Sequence, residues 1–254
     1  MNIPRLVPVL LIASFAGALH AEDTTIIEEN FFIDGKERKM GRPLDGMPIG
    51  STEEGIVPSP LNWSLVGAGK GGISLAIRGK EMTGPGIALV KDFPSPQNVV
   101  LGAEIPDLDR FSSLTLDIKG SVFDSESMRF GFSSKPPAGF DEDPGDAVFL
   151  EAAAKEVSLV VIQDGKKTVL ETVPWTPPKG VTNSTYRLTY DAASGTAGIT
   201  VNEDLGKGAV AIGPVKLGFR FALHSLQLEA VNAGILHGNF PRVTMVKLIG
   251  TRKP

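Results

Sequence analysis

Residues 157–173 read VSLVVIQDGKKTVLETV, two β-branched runs on either side of Asp164-Gly165. An Asp-Gly pair supplies the positive φ angles of a two-residue type I′ turn, whose twist matches that of paired strands. Val157–Ile162 and Lys167–Val173 are therefore expected to form an antiparallel hairpin. A second hairpin is expected from Tyr186–Asp191 to Thr196–Asn202, joined by Ala192-Ala193-Ser194-Gly195.

The same period of two extends outward along the chain. Leu114, Leu116 and Ile118 alternate with Thr115, Asp117 and Lys119; Met128, Phe130 and Phe132 alternate with Arg129, Gly131 and Ser133. Tyr186, Leu188 and Tyr190 alternate with Arg187, Thr189 and Asp191, and the longest run is Val215, Leu217, Phe219, Phe221 and Leu223. Such spacing turns one set of side chains to a core and the other to water. Only Ala147–Lys155 offers two turns of helix. With 29 glycines and 19 prolines as punctuation, the expected fold is all-β: a two-sheet antiparallel β-sandwich forming a single domain over residues 22–254. Long connections are expected near residues 33–60, 133–146, 172–184 and 229–242.

The first 21 residues have a different purpose. Arg5, an apolar run from Leu6 to Leu19 and small residues at Ala16-Gly17-Ala18 and Ala21 have the layout of a cleaved signal peptide. That run is shorter than the roughly 18–20 residues of a membrane helix, and no later segment reaches that length. The protein is expected to be secreted or periplasmic, without membrane insertion. With no cysteine, it can carry neither a lipoprotein anchor nor a disulfide, which suits a bacterial envelope. A net charge of −4 without a Lys/Arg cluster argues against nucleic acid as partner.

Several motifs are weaker than they look. Gly67-Ala68-Gly69-Lys70-Gly71-Gly72 has dinucleotide-loop spacing, but alternating, strand-like residues follow where a helix is needed. There is no Gly-x-Ser-x-Gly elbow. Asp124 and Glu126 share a strand face but lie among serines. His224 and His237 match no metal-ligand spacing.

Two features are candidate binding groups. Trp175, in Val173-Pro174-Trp175-Thr176-Pro177-Pro178, and Phe140 lie in loops where a rigid ring can stack on a sugar face; the other option for Trp175 is folding back over the core edge. Asp141, Asp143 and Asp146 crowd a Pro/Gly loop, and crowded carboxylates invite Ca²⁺, although EF-hand spacing is not met.

An Asn30-Phe31-Phe32 opening, a Trp63 strand, the Tyr186–Tyr190 strand with its hairpin and a closing Val243–Gly250 strand resemble the concanavalin A-like jelly-roll superfamily. That superfamily includes laminin-G-like modules, legume-type lectins, β-glucanases and 3-keto-disaccharide hydrolase-like domains. The resemblance implies a jelly roll and raises the expectation of a polysaccharide or glycan partner. The glucanase Glu-x-Asp-x-x-Glu pattern is absent. The sequence thus favours a non-catalytic, carbohydrate-binding or envelope-associated module over an enzyme of the same fold or a structural assembly protein.

Overall fold

The positive φ angles expected of Asp164 and Gly165 are present in a computed structural model of the chain, at 50° and 73°. The structure describes residues 23–30, 51–52, 55–56, 63–66, 73–77, 87–91, 99–105, 107–122, 127–137, 143–179, 183–231 and 242–252. Of residues 51–99, and of a few at strand ends, only the backbone is described. The signal-peptide segment, Asp124, Glu126 and His237 lie outside these residues, as do residues 67–72. The strand that follows, Ile73–Ile77, leaves no dinucleotide helix there.

The strands, in chain order, are β1 (Asp23–Asn30), β2 (Ser51–Thr52), β3 (Gly55–Ile56), β4 (Trp63–Val66), β5 (Ile73–Ile77), β6 (Ile87–Lys91), β7 (Val99–Glu104), β8 (Phe111–Ser121) and β9 (Ser127–Ser133). They continue with β10 (Ala147–Ala153), β11 (Glu156–Gln163), β12 (Lys166–Pro174), β13 (Ser184–Asp191), β14 (Thr196–Val201), β15 (Val210–Lys216), β16 (Ser225–Val231) and β17 (Arg242–Arg252). A single 3₁₀ turn, Leu108–Arg110, is the only helical element among the described residues. No helix among them is long and apolar enough to cross a membrane.

Among the described residues every strand pairing is antiparallel. An eight-stranded sheet runs β15-β14-β13-β8-β17-β6-β5, with β1 also on β17; a seven-stranded sheet runs β12-β11-β10-β9-β16-β7-β4. Both expected hairpins form, β11–β12 and β13–β14. The sheets face one another through the apolar halves of their alternations. Leu116, Ile118, Tyr186, Leu188 and Leu248 from one meet Met128, Phe130, Phe132, Leu150 and Leu228 from the other, all buried. The Phe130 and Tyr186 rings meet edge to face, 5.9 Å apart.

Three expectations are corrected. Ala147–Ala153 is a central strand, because β9 and β11 pair with it on both sides and favour the extended form over its alanine-rich helix tendency. The run from Val215 leaves the ladder after Lys216. Leu217 is buried and Phe219, Phe221 and Leu223 lean on the core, so burial rather than pairing uses that apolar period. Arg129 and Ser133 do not face water. The outer face of the seven-stranded sheet is buried around Arg129, Ser133, Gln227 and Glu229, with a second apolar cluster of Ala147, Phe149, Val160 and Ile162, while its edge strand β12 stays exposed.

Candidate functional site

Strand alternation turns Asp117, Lys119, Arg187 and Lys247 outward from the eight-stranded sheet, and the ladder sets them in rows. Glu28, Lys247, Asp117 and Arg187 are successive cross-strand neighbours; in the next row Met245, Lys119 and Thr185 are neighbours likewise. Above the rows lies a cavity of about 410 Å³, lined by these side chains together with Glu203 and Asp204.

The last two carboxylates come from the β14–β15 connection, which is anchored at its base. Asn202 takes a left-handed φ of 54°, a conformation asparagine tolerates because its side chain can bond locally. Its Oδ1 accepts the Thr185 N–H at 3.0 Å and its own N–H donates to the Thr185 carbonyl at 2.8 Å. That clasp holds Glu203 and Asp204 beside β13. Thr185 Oγ1 donates to Asp204 at 3.2 Å, and Arg187 Nη1 and Thr200 Oγ1 each reach Glu203 at 3.4 Å.

Arg187 grips Asp117 with two parallel bonds, Nε to Oδ1 at 2.7 Å and Nη2 to Oδ2 at 3.0 Å. This fork is the strong form of a charge-assisted pair. The Asp117 hydrogen bond is also the main reason the guanidinium is protonated even more firmly than usual. Lys247 donates to Glu28 at 2.9 Å. The floor is therefore rigid and charged on both signs, a surface able to donate to and accept from polar ligand groups.

Of the residues singled out from sequence, Trp175, Asp143 and Asp146 lie elsewhere. Trp175 is buried, with only 4% of its surface exposed. Its indole N–H donates to the Gly208 carbonyl at 3.0 Å, its backbone N–H donates to the Lys155 carbonyl, and its ring meets Tyr186 edge to face at 5.7 Å. It closes one end of the core and offers no free ring face to a sugar. Stacking by Trp175 is thus corrected, because tying down the indole N–H and covering the ring outweighs exposure. Phe140 and Asp141 lie outside the described residues. Asp143 is held by Lys135 at 2.6 Å and by the Gly145 N–H at 2.9 Å, contacts that lower its pKa, the lysine bond foremost. Asp146 accepts the Asp164 N–H at 3.3 Å. Among the described residues no three His, Asp or Glu side chains gather to hold a metal.

Asp117, Lys119 and Arg187 were visible in the sequence only as the polar half of two alternations. Their convergence with Glu203, Asp204 and Lys247 needs strands far apart in the chain, which no linear motif records.

No protein-family model matches the chain, and no curated protein sequence matches it. Solved structures do. Arcelin-5, a lectin-like defense protein from Phaseolus vulgaris, is similar at a TM-score of 0.53 and 9% identity, over 91% of this chain and 99% of its own. The fold is the concanavalin A-like jelly roll. A Lotus tetragonolobus seed lectin shares it at 0.51 and 9% identity, over 76% of this chain and 94% of its own. The exoplasmic/lumenal domain of VIP36, in its Ca²⁺/Man-bound form, does so at 0.50 and 13%, over 82% and 87%. At such identities the likeness establishes the jelly roll alone.

Proposed function

We propose that this protein is an exported, non-catalytic lectin-like module that binds a polysaccharide or glycan in the cavity of the eight-stranded sheet. The observation that carries the reading is the convergence of a forked Arg187–Asp117 pair, Lys119, Thr185 and the Glu203-Asp204 loop around one concave site on rigid strands. Sugars present hydroxyls that both donate and accept, and a mixed-charge floor meets both needs. The lectin-like fold supports the same reading.

Retaining or inverting hydrolysis needs one carboxyl raised to act as acid beside a second carboxylate. Glu229, whose carboxyl burial pushes up, lies outside the cavity on the other sheet, against Arg129. In the cavity both Asp117 oxygens are taken by Arg187. These features support binding without turnover.

Thermal unfolding against a panel of soluble glycans tests the reading. A glycan at a hundredfold excess over its dissociation constant adds about 2.7 kcal/mol, and Lys119→Ala should remove that shift while leaving the unliganded midpoint in place. No shift with any glycan, or one indifferent to Lys119→Ala, would refute the site. Shortening of the glycan during incubation would refute the non-catalytic part.

A further inference from the structure

We propose that the cavity selects a cationic glycan, one bearing free amino groups beside its hydroxyls; this rests on the glycan-binding reading above. The argument is an accounting of charge. Lys247 neutralises Glu28, and Arg187 neutralises Asp117 through its fork. Three charged lining groups are left: Glu203, Asp204 and Lys119.

The two carboxylates are loosely held. Both contacts of Glu203 are 3.4 Å long, one of them from an Arg187 already matched by Asp117. Asp204 accepts only a neutral hydroxyl, at 3.2 Å. The Glu203 side chain is 66% exposed, so it is open to a ligand. Adjacent in sequence on the connection that the Asn202 clasp anchors, the two carboxylates offer an ammonium group charge-assisted acceptors. Lys119 forms no ion pair among the described residues; it balances one of the two negative charges and leaves one over. It would repel an ammonium, but it can donate to a ring or hydroxyl oxygen. An acidic glycan meets the surplus negative charge, and a neutral one leaves it uncompensated.

Calorimetric titration compares three oligosaccharides of matched length and β-1,4 linkage: glucosamine, N-acetylglucosamine and glucose. N-acetylation removes the charge and keeps the ring. The glucosamine chain should bind at least about tenfold more tightly than the other two, the difference a charged hydrogen bond makes. It should weaken with added salt. Glu203→Gln and Asp204→Asn should each erase most of the preference, with unchanged unfolding midpoints showing that the fold is intact.

Equal affinity for all three chains would overturn the charge selection while leaving the glycan reading standing. Binding of none would remove both. Preference for glucosamine unaffected by either variant would place the selection outside this cavity. Equally tight binding of an oligolysine peptide would overturn the assignment to a glycan, since the site would then read amines on any backbone.

Discussion

On each sheet an arginine–carboxylate pair spans neighbouring strands of the outer face, and the two pairs live in different surroundings. On the seven-stranded sheet Arg129 Nε donates to Glu229 Oε2 at 2.5 Å, with side chains only 6% and 2% exposed. The guanidinium also lies over the Phe149 ring, 5.0 Å from its centre. On the eight-stranded sheet Arg187 and Asp117 are 40% and 10% exposed and line an open cavity. The same cross-strand chemistry thus makes a sealed structural element on one face and the floor of an open cavity on the other. Water decides the difference, because it screens an exposed pair and is absent around a buried one.

The contrast breaks first at the buried pair. Arg129→Met should cost about 3–5 kcal/mol, since it takes the guanidinium away from the buried Glu229 carboxylate. Urea unfolding measures this, and an Arg129→Met/Glu229→Leu double variant should recover most of the loss. A cost under about 1 kcal/mol would mean that the pair is reached by water and the contrast is false.

Burial pushes the Glu229 carboxyl above its ordinary value of 4.5, against the opposing pull of Arg129. A raised acid holds its proton more tightly in the folded state than in the unfolded one. Its contribution is therefore most favourable at low pH and declines as pH climbs from about 4.5 through the folded value. Unfolding free energies between about pH 4 and pH 8 should show that falling component in the parent protein and lose it in Glu229→Gln. An unchanged profile would remove Glu229 as its source.

The open pair is worth less. Asp117→Asn should lower stability by about 1 kcal/mol, and added salt should shrink even that. Smallest of all is calcium. With Asp143 committed to Lys135 and Gly145, Ca²⁺ should leave the unfolding midpoint where it is. A calcium-dependent rise abolished by Asp143→Asn would instead support a metal site at Asp141, Asp143 and Asp146.

Glycine shows how closely the sealed face is packed. Pro137 stands where a Cβ on Gly102 would be, so its ring rests directly on β7. Beside it Ser225 Oγ donates to the Lys135 carbonyl at 2.7 Å, and Gln227 Nε2 donates to Ser133 Oγ at 2.8 Å. Nothing in the alternation of Met128, Phe130 and Phe132 with Arg129, Gly131 and Ser133 announces this. A period of two says that two faces differ, and it is silent on whether the polar one is wet. The fate of Trp175 has the same cause: its proline-rich neighbours mark a loop, and only the position of Gly208 shows that the indole has a partner inside.

What the sequence determined by itself is local. Asp164-Gly165 set a hairpin because few other residues accept its turn, and the alternations at 114–118, 128–132 and 186–190 set strands because one side of each must leave water. The antiparallel sandwich follows from these. What only the tertiary structure decided is which polar face stays open and which charges meet there. Asp117, Arg187, Glu203 and Lys247 are distant in the chain, and the register of β17, β8 and β13 brings them together. Register is fixed by the burial of the opposite faces, so the floor of the cavity is a consequence of the core beneath it.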